Sequence, residues 1–297
     1  MDSESFQLIQ VASGAQSLRS LRYNETFHPV VGPMIEARGL HVVQHRFIER
    51  AMRNPQRPFI IWDVGLGAAA NAIAILEVFR DQEVAVPVEL HSFDRNLEAL
   101  DFALKHAAEL GYFSGWEEVV ATLLKEGVVQ FKNVTWKMQS GDFRERVFDL
   151  EIPAPQSVIF DPYSPASNPE LWTVETFSAL RKRVGEEPCL VTSYSRSTSV
   201  RTTFLVAGWF VGKGAATGEK QETTLVASAL SLLERPLERS WLERVAKSGA
   251  PGPLTNGVGE KKSAVEVAEG LQAHPQFNSI HVKESKTKEI LKLGNQL

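Results

Sequence analysis

The chain of 297 residues is long enough to bury a sizeable core, as one large domain or one domain with additions. Apolar residues at 43% and charged residues at 23% are ordinary for a globular protein, and a net charge of −4 excludes a global positive field, so a nucleic acid would have to meet a local patch. One cysteine, Cys189, excludes an intrachain disulfide and a cysteine zinc site.

Residues 1–22 are polar and serine-rich, with Phe6, Leu8 and Val11 in alternation that allows a strand. The start has no basic region followed by an apolar one, and no stretch approaches the ~18 apolar residues of a spanning helix. A cytoplasmic enzyme or binding protein without a membrane partner is therefore expected. Residues 23–29, Tyr-Asn-Glu-Thr-Phe-His-Pro, are dense in functional side chains, and residues 34–52 carry a helical pattern. Within it, His41 and His45 read as helix surface or packing.

Residues 59–71 are the stretch around which the chain is organised. The apolar run from Phe59 to Trp62 ends in Asp63, and Gly65 and Gly67 precede an alanine-rich helix expected over 69–79. This is a strand, a tight loop and a helix N-terminus. Glycines there permit backbone angles and close approaches that a side chain forbids, and the helix presents free N–H groups. A ligand-free turn carries the same glycines, and the loop does not separate a nicotinamide from a nucleoside cofactor.

A second strand over 84–93 ends at Asp94, 27 residues after Gly67, with Arg95 and Asn96 behind it. An acid at that place can accept from ribose hydroxyls or cap the following helix, expected over 97–110. Helical spacing continues over 116–126. A short third strand over 134–138 precedes Gly141-Asp142-Phe143-Arg144, where an acid and an aromatic suit a flat ring or a plain surface turn.

The fourth strand, 157–160, ends in Asp161 and a proline-rich loop, Pro162-Tyr163-Ser164-Pro165, which continues through Asn168 to Trp172. Trp172 reads as packing for that loop. Thr173 can cap a helix over 174–184. A fifth strand over 189–194, a helix over 197–207 and an antiparallel pair at 209–211 and 223–230 complete an open α/β sheet. Beyond residue 230 the pattern weakens, and residues 281–297 carry four lysines against two glutamates.

Four pieces point together: Asp63-x-Gly-x-Gly, Asp94, Gly141-Asp142-Phe143, and Asp161-Pro-Tyr-Ser-Pro with Asn168-Pro-Glu-Leu-Trp172. They resemble a class I S-adenosylmethionine-dependent methyltransferase. The proline-rich loop resembles the methyltransferase half of the bifunctional enzyme that completes 5-methylaminomethyluridine at the tRNA wobble position, and more closely its stand-alone relatives without the flavin oxidase half. Tyr23 to Pro29 with Gly32, Pro33 and Glu36, Tyr194-Ser195 with Val200-Arg201, and the run from Gly218 to Thr224 add to the likeness, which covers about residues 20–250.

The resemblance implies a Rossmann-like fold with a mostly parallel seven-stranded sheet and an antiparallel edge hairpin. Residues 1–58 would be a segment covering substrate and cofactor, 59–230 the methyltransferase core, and 231–297 a C-terminal extension. It implies S-adenosyl-L-methionine as cofactor, no metal, and methyl transfer to the primary amine of 5-aminomethyluridine in tRNA, with no obligate protein partner. Gly65 and Gly67 would approach the amino-acid portion of the cofactor below Asp63, Asp94 and Arg95 the ribose side, and Asp142 and Phe143 the adenine. Glu25, Thr26 and His28 would close over the methionine end. Asp161 would orient the amine or accept its proton, with Tyr163 and Tyr23 assisting. Arg19, Arg22, Arg46, Arg50, Arg53, Arg181, Lys182 and Arg183 are candidate phosphate contacts. A small-molecule amine methyltransferase, a polyamine aminopropyltransferase, or an inactive nucleic-acid-binding protein of the same fold are the alternatives.

Overall fold

A computed structural model describes residues 5–81, 85–217, 221–257 and 262–278. Eleven strands appear in chain order: β1 (Phe6–Gln10), β2 (Gln16–Ser20), β3 (Glu25–Thr26), β4 (Phe59–Val64), β5 (Val88–Asp94), β6 (Val128–Phe131), β7 (Val134–Ser140), β8 (Ser157–Phe160), β9 (Leu190–Ser193), β10 (Phe210–Lys213) and β11 (Thr224–Ala227). The first three form a small antiparallel sheet, and the other eight form one large sheet in the order β10-β11-β9-β8-β4-β5-β7-β6. β7, β5, β4, β8 and β9 run parallel, whereas β11, β10 and β6 are antiparallel to their neighbours.

The mostly parallel sheet with its edge hairpin is the expected class, but it has eight strands rather than seven. The extra one is β6, in a stretch that the helical spacing before it had absorbed. Its residues alternate between exposed and half-buried, as an edge strand with one covered face does. The helix expected over 34–52 is also interrupted. Pro33–Glu36 is α-helical, Ala37–Val42 winds as a π-helix, and Arg46 takes a left-handed conformation (φ 46°) before Phe47–Met52 resumes.

β4 is buried along its whole length because helices cover both faces of the sheet. Its alternating side chains divide the apolar interior in two. Ile60, Trp62 and Val64 join one cluster, and Phe59 and Ile61 join the other. Each fully buried side chain of this size stabilises the fold by about 1.5–3 kcal/mol. Among the buried indoles, Trp62 finds a backbone acceptor at Pro153 O (3.1 Å) and Trp209 at Phe177 O (2.9 Å), whereas Trp241 Nε1 has none among the described residues. Helices Trp241–Ala246 and Ala264–Leu271, beyond residue 230, pack into the cluster that contains Trp62. The lysine-bearing run at 281–297, Val84, and Gly218 to Lys220 lie outside the described residues.

The strand order reverses at β4: β5 lies on one side of it and β8 on the other. Open parallel sheets place their ligands at the carboxyl ends of the strands flanking such a switch point. Gly65 and Asp161 follow the two strands that meet there.

Candidate active site

The loop after β4 turns tightly. Gly65 N and Leu66 N both reach Phe93 O, at 3.0 and 3.3 Å. Gly65 has φ +92°, and a Cβ there would stand 2.8 Å from both Asp161 O and Pro162 Cα. Gly67 has φ +49°, and a Cβ there would stand 3.0 Å from the Phe27 ring. Side chains are thus excluded by conformation and by space. Helix Ala70–Asp81 leaves from this loop, and its buried Asn71 points back at Asp161.

A cavity of ≈480 Å³ opens over the loop. Its walls include Tyr23, Glu25, Thr26, His28, Gly65, Gly67, Asp94, Arg95, Phe143, Asp161 and Tyr163. The N-terminal sheet supplies the outer wall. Glu25 on β3 accepts from Ser164 N (2.9 Å) and Ser164 Oγ (2.8 Å), which clasps that sheet to the proline-rich loop. Thr26 Oγ1 is engaged by Arg19 (3.1 Å). Tyr23 and Tyr163 stack with ring centroids 4.3 Å apart, and Phe27 meets Tyr163 edge-on at 5.5 Å.

At one end of the cavity stands Asp94, whose Oδ2 accepts from Gly67 N at 3.0 Å. Burial raises its pKa, against the stabilising backbone N–H groups of Gly67, Arg95 and Asn96. At the other end stands Asp161. Asn71 Nδ2 donates to its Oδ2 at 2.8 Å, His41 Nε2 lies 3.8 Å from the same oxygen, and His28 Nε2 lies 4.0 Å from it. Burial disfavours the Asp161 charge, but His41, His28 and Asn71 outweigh it and hold the carboxyl below its ordinary value.

Two of the residues expected at the cofactor lie beside the cavity rather than on its wall. Asp63 is fully buried, with Ser92 Oγ donating to its Oδ2 at 2.9 Å and its Oδ1 left without a hydrogen bond. Burial pushes its pKa up to about 8, against the Ser92 bond and with help from Asp161 and Asp94. Asp142 caps the short helix Phe143–Arg146 by accepting from Arg144 N (2.9 Å). The Arg144 side chain and Arg95 Nη2 (2.8 Å) occupy its Oδ2 and hold its pKa well below the usual range. Phe143 shows the cavity one edge while its ring packs with Trp62, Phe93 and Phe160. Trp172 is fully buried and donates to Tyr163 O (2.8 Å), packing the proline-rich loop as expected.

His41 is a residue whose reach the sequence did not reveal. It and His45 are fully buried, and Thr192 Oγ1 on β9 lies between them, 2.8 Å from His41 Nδ1 and 2.9 Å from His45 Nε2. Burial, with Arg50 and His41, drives the His45 pKa well below its ordinary value, so that ring is neutral. The i, i+4 spacing of the two histidines was a usable signal, but the π-turn that aims them at β9 was not. Of the candidate phosphate contacts, Arg50 is spent on Ser157 Oγ, Gln156 O and Pro188 O. Arg22 is exposed and lies over the Tyr23 ring at 5.6 Å.

The cavity fits S-adenosyl-L-methionine. A side-chain-free cradle at Gly65 and Gly67 lies next to a carboxylate suited to a ribose diol. The surrounding acids, Glu25, Glu36, Asp94 and Asp161, suit a ligand that carries a sulfonium and an ammonium. Among the described residues no group of three or more His, Cys, Asp or Glu side chains is arranged to hold a metal, and no helix is long and apolar enough to cross a membrane.

Residues 113–229 match a family described as S-adenosyl-L-methionine-dependent methyltransferase. The chain is 23% identical over 291 residues to the tRNA 5-methylaminomethyl-2-thiouridine biosynthesis bifunctional protein MnmC of Vibrio campbellii, spanning 90% of this chain and 42% of that protein. It is 28% identical over 221 residues to the protein of the same name from Ralstonia nicotianae, spanning 70% of this chain and 32% of the relative. The chain thus covers less than half the length of these relatives. The crystal structure of MNMC2 from Aquifex aeolicus superposes with a TM-score of 0.67 at 24% identity, covering 91% of this chain and 85% of that one. The chain therefore shares its fold with MNMC2, its residues 113–229 match the S-adenosyl-L-methionine-dependent methyltransferase family, and it is similar to part of the bifunctional protein MnmC.

Proposed function

We propose that the protein transfers a methyl group from S-adenosyl-L-methionine to the primary amine of 5-aminomethyluridine at the tRNA wobble position. The observation that carries this reading is the placement of Asp161 and the stacked Tyr23 and Tyr163 in the same cavity as the glycine cradle and Asp94. Flat apolar rings beside an anion suit a nucleobase that bears an alkyl ammonium group. The relatives' names point to a modified uridine of that class.

When bound, S-adenosyl-L-methionine supplies an electrophilic methyl group on a sulfonium. Gly65 and Gly67 bring the backbone against its amino-acid portion, and Asp94 accepts from its ribose hydroxyls. Phe143 contributes an apolar edge at the adenine end, and Asp142 acts there through Arg95, which it holds in place. Glu25 and Thr26 hold the covering sheet over the methionine end. Methyl transfer is an in-line displacement, so the main demand on the protein is alignment. Asp161 aligns the amine through an ionic hydrogen bond, since its lowered pKa makes it a steady anion and a weak base. Burial raises the Tyr163 hydroxyl well above its ordinary pKa, so it serves as a donor to the base. Arg22, at the mouth, is placed for a tRNA phosphate.

The test is label transfer from S-adenosyl-L-methionine to tRNA carrying 5-aminomethyluridine, with the unmodified transcript as control. Label on the modified tRNA alone supports the reading. Bound cofactor without label on either RNA sinks it and turns attention to small amines.

A further inference from the structure

An alkyl amine is protonated in water at neutral pH, and only its neutral form has the lone pair that attacks the methyl group. Some group in the cavity must therefore take a proton. Asp161 is poorly suited, because three side-chain nitrogens gather at its Oδ2. Glu25 has both oxygens engaged by Ser164. Asp94 sits at the far end, against the glycine loop. Asp63 does not reach the cavity wall, and Glu36 stands behind the His28 ring, 3.7 Å from its Nδ1.

His28 remains. It lines the cavity and is half-buried, with its side chain 12% exposed. Its Nδ1 lies 3.7 Å from Glu36 Oε2 and its Nε2 lies 4.0 Å from Asp161 Oδ2. The ring is thus strung between two carboxylates, one behind it and one beside the expected place of the amine. Such contacts are commonly long before a substrate closes the site. Its backbone is left-handed (φ 47°), an unusual conformation for a residue with a side chain and one that clusters at functional sites. Glu36 is itself 8% exposed, so its charge is poorly screened from the ring.

We propose that His28 is a catalytic residue that accepts the proton of the incoming amine at Nε2, with Glu36 as its positioning residue. The inference rests on the amine-methylation reading above. The substrate ammonium gives one N–H proton to Nε2 of neutral His28, which becomes an imidazolium. The freed nitrogen lone pair forms the new C–N bond as the methyl–sulfur bond breaks, and the sulfur keeps that electron pair. The product leaves as a secondary ammonium ion, and the imidazolium returns its proton to solvent. Burial opposes the imidazolium, but Glu36 and Asp161 outweigh it and raise the His28 pKa. His41, beyond Asp161, and Tyr194 and Glu25 on the cavity wall are the other titratable groups facing this corner.

The test uses the full chain and two variants that suit the left-handed backbone, His28→Asn and His28→Gly. With the modified tRNA, kcat falls about 100-fold in both. Kd for S-adenosyl-L-methionine and KM for tRNA stay within about threefold of wild type. Added imidazole restores at least about tenfold of the rate in His28→Gly, where it has room, and nothing in His28→Asn. A readout without turnover is the imidazole NMR titration of His28 in the absence of tRNA. Glu36→Gln moves its midpoint to lower pH, because a carboxylate that favours the imidazolium is gone. An unmoved midpoint overturns the pairing. If wild type is active and His28→Asn turns over within about threefold of it, this inference falls while the methylation reading stands. A loss confined to cofactor Kd would likewise overturn it and make His28 a cofactor contact. If wild type transfers no label, the methylation reading falls and takes the inference with it.

Discussion

The two ends of the cavity hold their carboxylates by different means. Asp94, after β5, accepts from Gly67 N, with further backbone support from Arg95 and Asn96. Asp161, after β8, is held by the side chains of Asn71, His41 and His28. Backbone N–H groups do not titrate and move only with the chain. Imidazoles do titrate, and they can be exchanged one at a time. One end is therefore built as a fixed cradle and the other as an adjustable electrostatic corner, which suits recognition at the first and chemistry at the second.

Substitutions can break this contrast. The largest effect is expected at the adjustable end. Asp161→Asn keeps the shape but removes the anion proposed to align the amine, and kcat should fall about 100-fold with cofactor affinity nearly unchanged. Single-turnover methyl transfer beside calorimetric binding checks this; equal losses in both would erase the distinction between the ends. Asp94→Asn should do the reverse. Losing an ionic acceptor for the ribose should weaken cofactor binding about tenfold, roughly 1.5 kcal/mol. Its kcat at saturating cofactor should be close to wild type.

The pH dependence of stability sharpens the comparison further. Asp63 lies beneath both ends, and burial raises its pKa to about 8 from the ordinary 3.8 of an aspartate. Between these limits the folded state keeps a proton that the unfolded chain has lost. Stability from this group therefore falls as pH rises from about 4 to about 8, by at most about 1.4 kcal/mol per unit. Urea denaturation of Asp63→Asn across that range should show a shallower decline than wild type. A parallel curve would mean that Asp63 is ionised in the folded protein. The smallest effect is expected at Arg95→Ala. Arg95 bridges Asp142 and Glu170 but is 41% exposed, and water screens such pairs, so the stability change should be below about 1 kcal/mol.

The cradle was largely legible in the sequence. An apolar run ending at Asp63, two glycines and an alanine-rich helix allow few other arrangements, and Asp94 and Asp161 both close short buried strands. Thr173 caps Val174–Val184 as its position implied, by accepting from Thr176 N. The adjustable end was much less legible, because its parts come from distant segments. His41 reaches Asp161 only because a π-turn shifts the facing of its helix, and Asn71 read as one more residue of an apolar stretch. Asp142 looked available for an adenine amino group until Arg144 and Arg95 were seen to occupy it. β6 was hidden by the helical spacing that runs up to it.

The clasp between Glu25 and Ser164 joins residues 139 positions apart. Closing so large a loop costs chain entropy, though a cost that grows only slowly with length, and contacts of this span slow folding. The glycine cradle, by contrast, is made by β4, β5 and the helix between them. The segment that carries Tyr23, Glu25 and His28 is expected to open while β4 stays paired with β5 and β8. In hydrogen exchange, amides of β2 and β3 should report a low-energy opening, and those of β4 the unfolding of the whole protein. On the proposed function a tRNA would need such an opening to place one nucleoside inside, and this wall would be its door.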